Sequence, residues 1–175
     1  MVPSALRPPV VQGVLTAFAI LSSILAGPGC ASTVSGQVVD AQTGEPIPQA
    51  IVLGVWMFAE GAPGLVHSEL VGVREAETDL EGRFTLESLG GPMVEERITV
   101  YKFGYLAWSN LFTFPPLRRR ANPAASGLIR LERRSHDQSP VEHMLFIDLA
   151  RSAGLYGIDR NPKFQAAVDQ ERNLR

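Results

Sequence analysis

The chain holds three histidines (His67, His136 and His143), one cysteine (Cys30) and two lysines (Lys102 and Lys163), so its acid–base, nucleophilic and metal-binding options are few. Zinc hydrolases hold the metal through His and Glu side chains at fixed spacing. A His-x-x-Glu pair is absent, because Leu70, Ser139 and Phe146 stand three residues after the histidines. The Gly-x-Ser-x-Gly nucleophile elbow of serine hydrolases is absent as well. His136 beside Asp137 and His143 beside Glu142 set an imidazole next to a carboxylate, but surface polar residues flanking a helix start account for both. These residues predict no catalytic centre, no metal site and no cofactor.

Cys30 ends an N-terminal segment with the composition of an export signal. Met1 to Pro9 carries Arg7 and no acid, and Val10 to Ala26 is apolar but interrupted by Gln12, Thr16, Ser22 and Ser23. That run falls short of the ~20 strongly apolar residues of a spanning helix, so a cleaved hydrophobic region is expected. Gly27, Pro28 and Gly29 lead into Cys30. The stretch "LAGPGCAST" resembles the lipobox of bacterial lipoproteins, a family that usually has Leu where this chain has Gly27. The resemblance implies cleavage before Cys30 and acylation of its thiol. Inserted acyl chains, at ~0.8 kcal/mol per buried methylene, would then anchor the protein to a membrane. Ala31 is not the aspartate that resembles an inner-membrane retention signal, so the expected location is the cell envelope, at the outer membrane facing the periplasm. The alternative is ordinary signal cleavage with Cys30 as a small buried hydrophobe.

At 175 residues and 45% hydrophobic content the chain is long enough for one domain with its own core. A net charge of -2 supplies no bulk attraction to nucleic acid, which is not an expected partner. The charges are nevertheless segregated: nine acids lie between Glu60 and Glu96, and six arginines between Leu117 and Arg134. Arg118, Arg119 and Arg120 form a candidate anion-binding patch, because guanidinium forks match phosphate and carboxylate. A solvated edge guarded by charge is the ordinary explanation. The acidic segment is a candidate partner within the chain.

These residues must be positioned by short extended runs separated by turn residues, the pattern of an antiparallel β-sandwich. Seven strands are expected: Val34 to Asp40, Ala50 to Ala59, Glu69 to Glu77, Arg83 to Glu87, Arg97 to Tyr105, Asn110 to Phe114 and Gly127 to Glu132. "RFTLE" alternates Phe84 and Leu86 against Arg83, Thr85 and Glu87, as a half-buried strand requires. "AIVLGVWMF" is apolar at nearly every position and is the expected central strand, covered on both faces. In "TDLEGRF", Asp79 is placed to accept backbone amides and Gly82 to take the left-handed position that closes a hairpin.

"VSGQVVDAQTGEPIPQAIV", "TDLEGRFTL" and "ITVYKFGY" together resemble the carboxypeptidase regulatory-like domain over roughly Val34 to Trp108. The resemblance implies a mainly β fold, a seven-stranded antiparallel transthyretin-like β-sandwich, and a non-catalytic module that binds, spaces or stabilises. Hydroxyisourate hydrolases share that fold, but resemblance to them would demand a C-terminal Tyr-Arg-Gly-Ser, and this chain ends "QERNLR". Collagen-adhesin B-type domains crosslink a first-strand lysine, and neither Lys102 nor Lys163 lies there.

A short helical extension follows. Ser139 as N-cap, Pro140 at the first position and Glu142 completing a capping box predict a helix stopping near Gly154. Val141, Met144, Leu145 and Leu149 form its apolar stripe, widened by Phe146 and Ile147, for docking on the sandwich or on a partner. A second helix is expected with Asn161 capping, Pro162 leading, and Phe164, Ala167, Val168 and Leu174 facing inward. The domain plan is therefore residues 1–29 as signal, 30–33 as lipidated tether, 34–134 as sandwich and 135–175 as helical extension. The expected function is that of a cell-envelope lipoprotein acting as a binding or scaffolding module, with the membrane as partner through its anchor and an envelope protein or glycan as ligand. Aromatics such as Trp56, Tyr101, Trp108, Phe112 and Phe114 make a carbohydrate-binding module one alternative, although core burial is their commoner fate. A periplasmic enzyme with an unrecognised site is the other.

Overall fold

The computed structural model describes residues 32–61, 67–115, 118–119, 127–151 and 161–173. The signal region, Cys30, Arg120 and Leu174 lie outside the described residues. The fold is mainly β, with strands β1 (Thr33–Asp40), β2 (Ile51–Glu60), β3 (His67–Glu77), β4 (Arg83–Glu87), β5 (Val94–Tyr101), β6 (Trp108–Ser109), β7 (Phe112–Thr113), β8 (Arg118–Arg119) and β9 (Gly127–Leu131). Helices α1 (Pro140–Ala150) and α2 (Pro162–Asn173) follow.

The strands form one sheet of order β4-β1-β9, a second of order β3-β2-β5-β6, and a ribbon of β7 and β8. Pairing is antiparallel except between β1 and β9, which run parallel. The all-antiparallel expectation fails there: β9 joins the first sheet from a distant part of the chain, so no hairpin dictates its direction.

Strand β2 shows why two layers form. Val52 and Trp56 face a core shared with Val38, Phe84 and Leu86 of the first sheet, while Leu53, Val55 and Met57 face a second core with α1 and α2. Val52 through Met57 is buried throughout, so the apolar run is read correctly as a strand covered on both sides. Gly54 leaves room for the Trp56 ring, whose nearest carbon lies 2.5 Å from where a Cβ would stand. The indole nitrogen donates to Glu96 at 3.1 Å, which satisfies its one polar atom.

Two expected strands differ from the sequence reading: the one expected over Arg97 to Tyr105 is shifted and begins at Val94, and the one expected over Asn110 to Phe114 is shortened. β5 ends at Tyr101, because Lys102 to Tyr105 closes a turn through Gly104 at φ 86. The strand expected from Asn110 is reduced to Phe112–Thr113. There the Asn110 side chain replaces a strand backbone, accepting from the Ile98 amide at 2.8 Å and donating to the Glu96 carbonyl at 2.9 Å.

Both helices correct the sequence reading in one respect each. Ser139 caps α1 as expected, accepting from the Glu142 amide at 3.3 Å. The face that docks, however, is His143, Met144, Phe146, Ile147 and Ala150, while Val141, Leu145 and Leu149 are exposed. The docking face is the one that adds a hydrogen-bonding imidazole to four apolar side chains. At α2 the cap comes from β3: Glu75 accepts from the Lys163 and Phe164 amides at 3.2 and 2.7 Å. A carboxylate satisfies those amides and the helix dipole better than the neutral Asn161, whose Oδ1 is buried without a hydrogen-bond partner among the described residues.

Candidate functional site

Two buried carboxylates organise the polar interior. Glu171 of α2 lies among four elements: its Oε2 accepts from the Tyr101 hydroxyl of β5 at 2.6 Å, and its Oε1 receives Arg134, which follows β9, and faces His143 Nδ1 of α1 at 3.4 Å. Tyr101 and His143 are fully buried and Glu171 is 3% exposed. Burial opposes ionisation of Glu171, but the Tyr101 hydrogen bond, His143 and Arg134 outweigh it and hold the carboxyl below its ordinary value. Burial and then the Glu171 charge push the Tyr101 phenol upward.

A carboxylate aimed at an imidazole is two thirds of a hydrolytic triad. The third place is occupied here by an amide, because Ala107 N–H donates to His143 Nε2 at 2.9 Å. That bond requires Nε2 to be unprotonated, which places the proton on Nδ1 facing Glu171. Both ring nitrogens are committed, so the pair clasps helices to sheet. His143 was expected to be a surface residue. It is instead the centre of the clasp, because two partners repay the burial of its polar atoms.

Asp40, 1% exposed, organises the second cluster. Its Oδ1 accepts from the Gln42 and Thr43 amides at 2.8 and 3.1 Å, and its Oδ2 from Tyr105 Oη at 3.0 Å and Arg133 Nε at 2.7 Å. The Arg133 guanidinium also lies 5.6 Å above the Tyr105 ring. The Gln42 amide foremost, with Thr43, Tyr105 and Arg133, lowers the Asp40 carboxyl from 3.8 to about 2 against the opposing effect of burial. Arg133 and Arg134 thus turn in opposite directions, one to each carboxylate, as neighbours on extended backbone do.

One member of the candidate anion patch, Arg119, is paired within the chain. Arg118 and Arg119 lie exposed on the β7–β8 ribbon, and Arg119 pairs with Glu95 at 2.6 Å. This contact joins the basic to the acidic segment. Among the described residues, Arg118 and Arg130 are the members of the basic run without an ion pair.

Two concavities among the described residues bear on binding. A wide depression of about 380 Å³ crosses the outer face of the first sheet at Gln37, Arg83, Thr85 and Leu128. A smaller pocket of about 210 Å³ is lined by Ala107, Trp108, Thr113, Phe114, Arg130 and Glu132. Of the candidate sugar-stacking aromatics, Trp56 and Tyr101 are fully buried, whereas Trp108 and Phe114 reach this pocket. No group of three or more His, Cys, Asp or Glu side chains suited to a metal ion occurs among the described residues.

No family model matches the chain, and no curated protein matches it. Among the described residues no helix is long and apolar enough to cross a membrane.

The sequence carried a signal for both missed residues. His143 shares the i, i+3, i+4, i+7 face of Phe146, Ile147 and Ala150, and Glu171 continues the i, i+4, i+7 face of Phe164 and Val168. A titratable group in register with an apolar stripe is a candidate for paired burial.

Proposed function

We propose that this chain is a lipid-anchored protein of the cell envelope, held at the outer membrane by an acylated Cys30. In this reading residues 34–134 form a transthyretin-like sandwich of the carboxypeptidase regulatory-like type, and the protein binds or scaffolds without turning over a substrate. Sheets of three and four strands around one shared core support the sandwich. The observation that carries the non-catalytic reading is the bond from the Ala107 amide to His143 Nε2. It takes the nitrogen that a general base would present to a nucleophile. The signal-like run before Cys30 and the lone thiol carry the anchoring.

Metabolic labelling with palmitate tests the reading, with wild type compared against Cys30→Ala. The expected result is label on the wild type alone and a shift of Cys30→Ala from the membrane to the soluble fraction. An unlabelled, freely soluble wild type overturns it.

A further inference from the structure

Strand β1 is fixed to the sandwich almost up to the anchoring residue. Thr33 pairs with Glu87, and the Ser88 amide donates to the Ser32 carbonyl at 2.8 Å. Ser32 stands two residues after Cys30 in the sequence. Two extended residues span about 7 Å, and the headgroup layer of a bilayer is about 5–8 Å thick on each side. With Cys30 acylated there is no slack, so the end of the sandwich at Thr33 must meet the headgroups.

The loop between β4 and β5 shares this end and has the composition that such contact requires. Ser88 to Val94 reads "SLGGPMV" and carries no charge, with Glu87 before it and Glu95, Glu96 and Arg97 after it. Gly90, Gly91, Pro92 and Met93 are exposed, Met93 at 61%. Leu89, by contrast, packs against the core. Two backbone bonds hold the loop in shape: the Val94 amide donates to the Gly91 carbonyl and the Ala59 amide to the Met93 carbonyl, both at 3.1 Å. Between them Met93 sits at φ 62, a conformation that non-glycine residues seldom adopt, with its flexible apolar side chain turned out.

The carboxylates flanking the loop are paired, Glu87 with Arg74 at 3.0 Å and Glu95 with both Arg97 and Arg119 at 2.6 Å. Pairing weakens their repulsion of lipid phosphates. Glu60, exposed at the end of β2, adds no attraction to an anionic surface, so the contact calls for a neutral bilayer rather than an acidic one.

We propose that the β4–β5 loop is a second membrane contact, lying among the phospholipid headgroups beside the anchor with the Met93 side chain at the boundary of the acyl chains. The partner is the bilayer itself, and two points of contact fix the orientation of the sandwich where one anchor would let it swivel. The inference rests on the acylation of Cys30 and deepens that reading.

The test uses the full chain, processed and acylated, in vesicles of phosphatidylethanolamine and phosphatidylcholine. A polarity-sensitive fluorophore is attached to Met93→Cys or, as reference, to Leu80→Cys; the acylated Cys30 offers no thiol. Leu80 is 80% exposed on the turn before β4, whose first residue pairs with Gln37, toward the far end of β1. Both positions are exposed, so unchanged melting temperatures are expected to show that the variants fold. The Met93→Cys probe is expected to shift its emission to the blue on vesicles and to lose intensity when the lipids carry a nitroxide near the headgroup. The Leu80→Cys probe should keep the emission it has in water. The inference is overturned if the Met93→Cys probe stays water-like, if it shifts without quenching by the lipid nitroxide, as burial against a second copy would give, or if Leu80→Cys is quenched equally. Palmitate label on a membrane-bound chain whose Met93→Cys probe is unquenched removes this contact and leaves the anchored module standing. An unlabelled, freely soluble chain removes the anchor, and this contact with it.

Discussion

Replacing Glu171 by alanine is the most informative perturbation of this fold. The carboxylate joins α2 to β5, α1 and the segment after β9, so its removal affects four elements at once. The Tyr101 hydroxyl would lose its Glu171 acceptor and His143 Nδ1 its Glu171 contact, on residues that are 0% exposed. The Arg134 side chain, 26% exposed, is able to turn to solvent. Each orphaned buried group costs about 1–3 kcal/mol, and removing one partner from a buried pair typically costs about 3–5 kcal/mol. A loss of about 3–5 kcal/mol is therefore expected, a large share of the roughly 5–15 kcal/mol that stabilises a domain. Urea unfolding followed by circular dichroism measures it, with the midpoint falling at constant slope. A second arm isolates the network. Tyr101→Phe should destabilise the wild type but cost less in Glu171→Ala, where it removes an already orphaned hydroxyl, giving a coupling of about 0.5–3 kcal/mol. A loss below about 1 kcal/mol for Glu171→Ala, or strict additivity of the two substitutions, would refute the clasp.

Three further outcomes follow from other contacts. Asp40 titrates near 2 in the fold against 3.8 ordinarily, so its contribution is complete above about pH 4 and disappears as pH falls toward 2. The melting temperature should drop across that window, with Glu171 adding to the acid loss, and Asp40→Asn should flatten the profile. On α1, Ile147→Ala should cost about 2–5 kcal/mol while Leu145→Ala stays within about 0.5 kcal/mol, because the first is fully buried and the second is 59% exposed. Equal costs in chemical denaturation would restore the stripe expected from sequence. Gly82→Val should lose at least about 1–3 kcal/mol in the same assay, since Gly82 has φ 72 and a Cβ would lie 2.4 Å from the Val38 carbonyl oxygen.

How much could be read in advance depended on whether the deciding contact was local. Asp79 and Gly82 closed the β-turn as expected because the interactions involved span four residues: Asp79 Oδ1 accepts from the Arg83 amide at 2.7 Å. Ser139 capped α1 for the same reason. The apolar run of β2 named the central strand, because no strand with one wet face tolerates six consecutive buried residues. The docking face of α1 was misread because Leu145 and Phe146 are equally apolar, and only the sheet beneath decides between them.

By itself the sequence determined strands β1 to β4 and β9 nearly to their ends, the turns between them, the two helices and the segregation of charge, all of which arise from backbone preference and periodicity over a few residues. Tertiary structure alone decided that Glu75 caps a helix 88 residues away, that Asp40 takes Arg133 across 93, and that Glu171 meets Tyr101 across 70. The pocket at Trp108 and Arg130 belongs to the same class. Burying a charge is costly enough that its partner must be supplied, but any arginine, tyrosine or amide in the chain could supply it. Which one does so is fixed only when the sheets and helices pack.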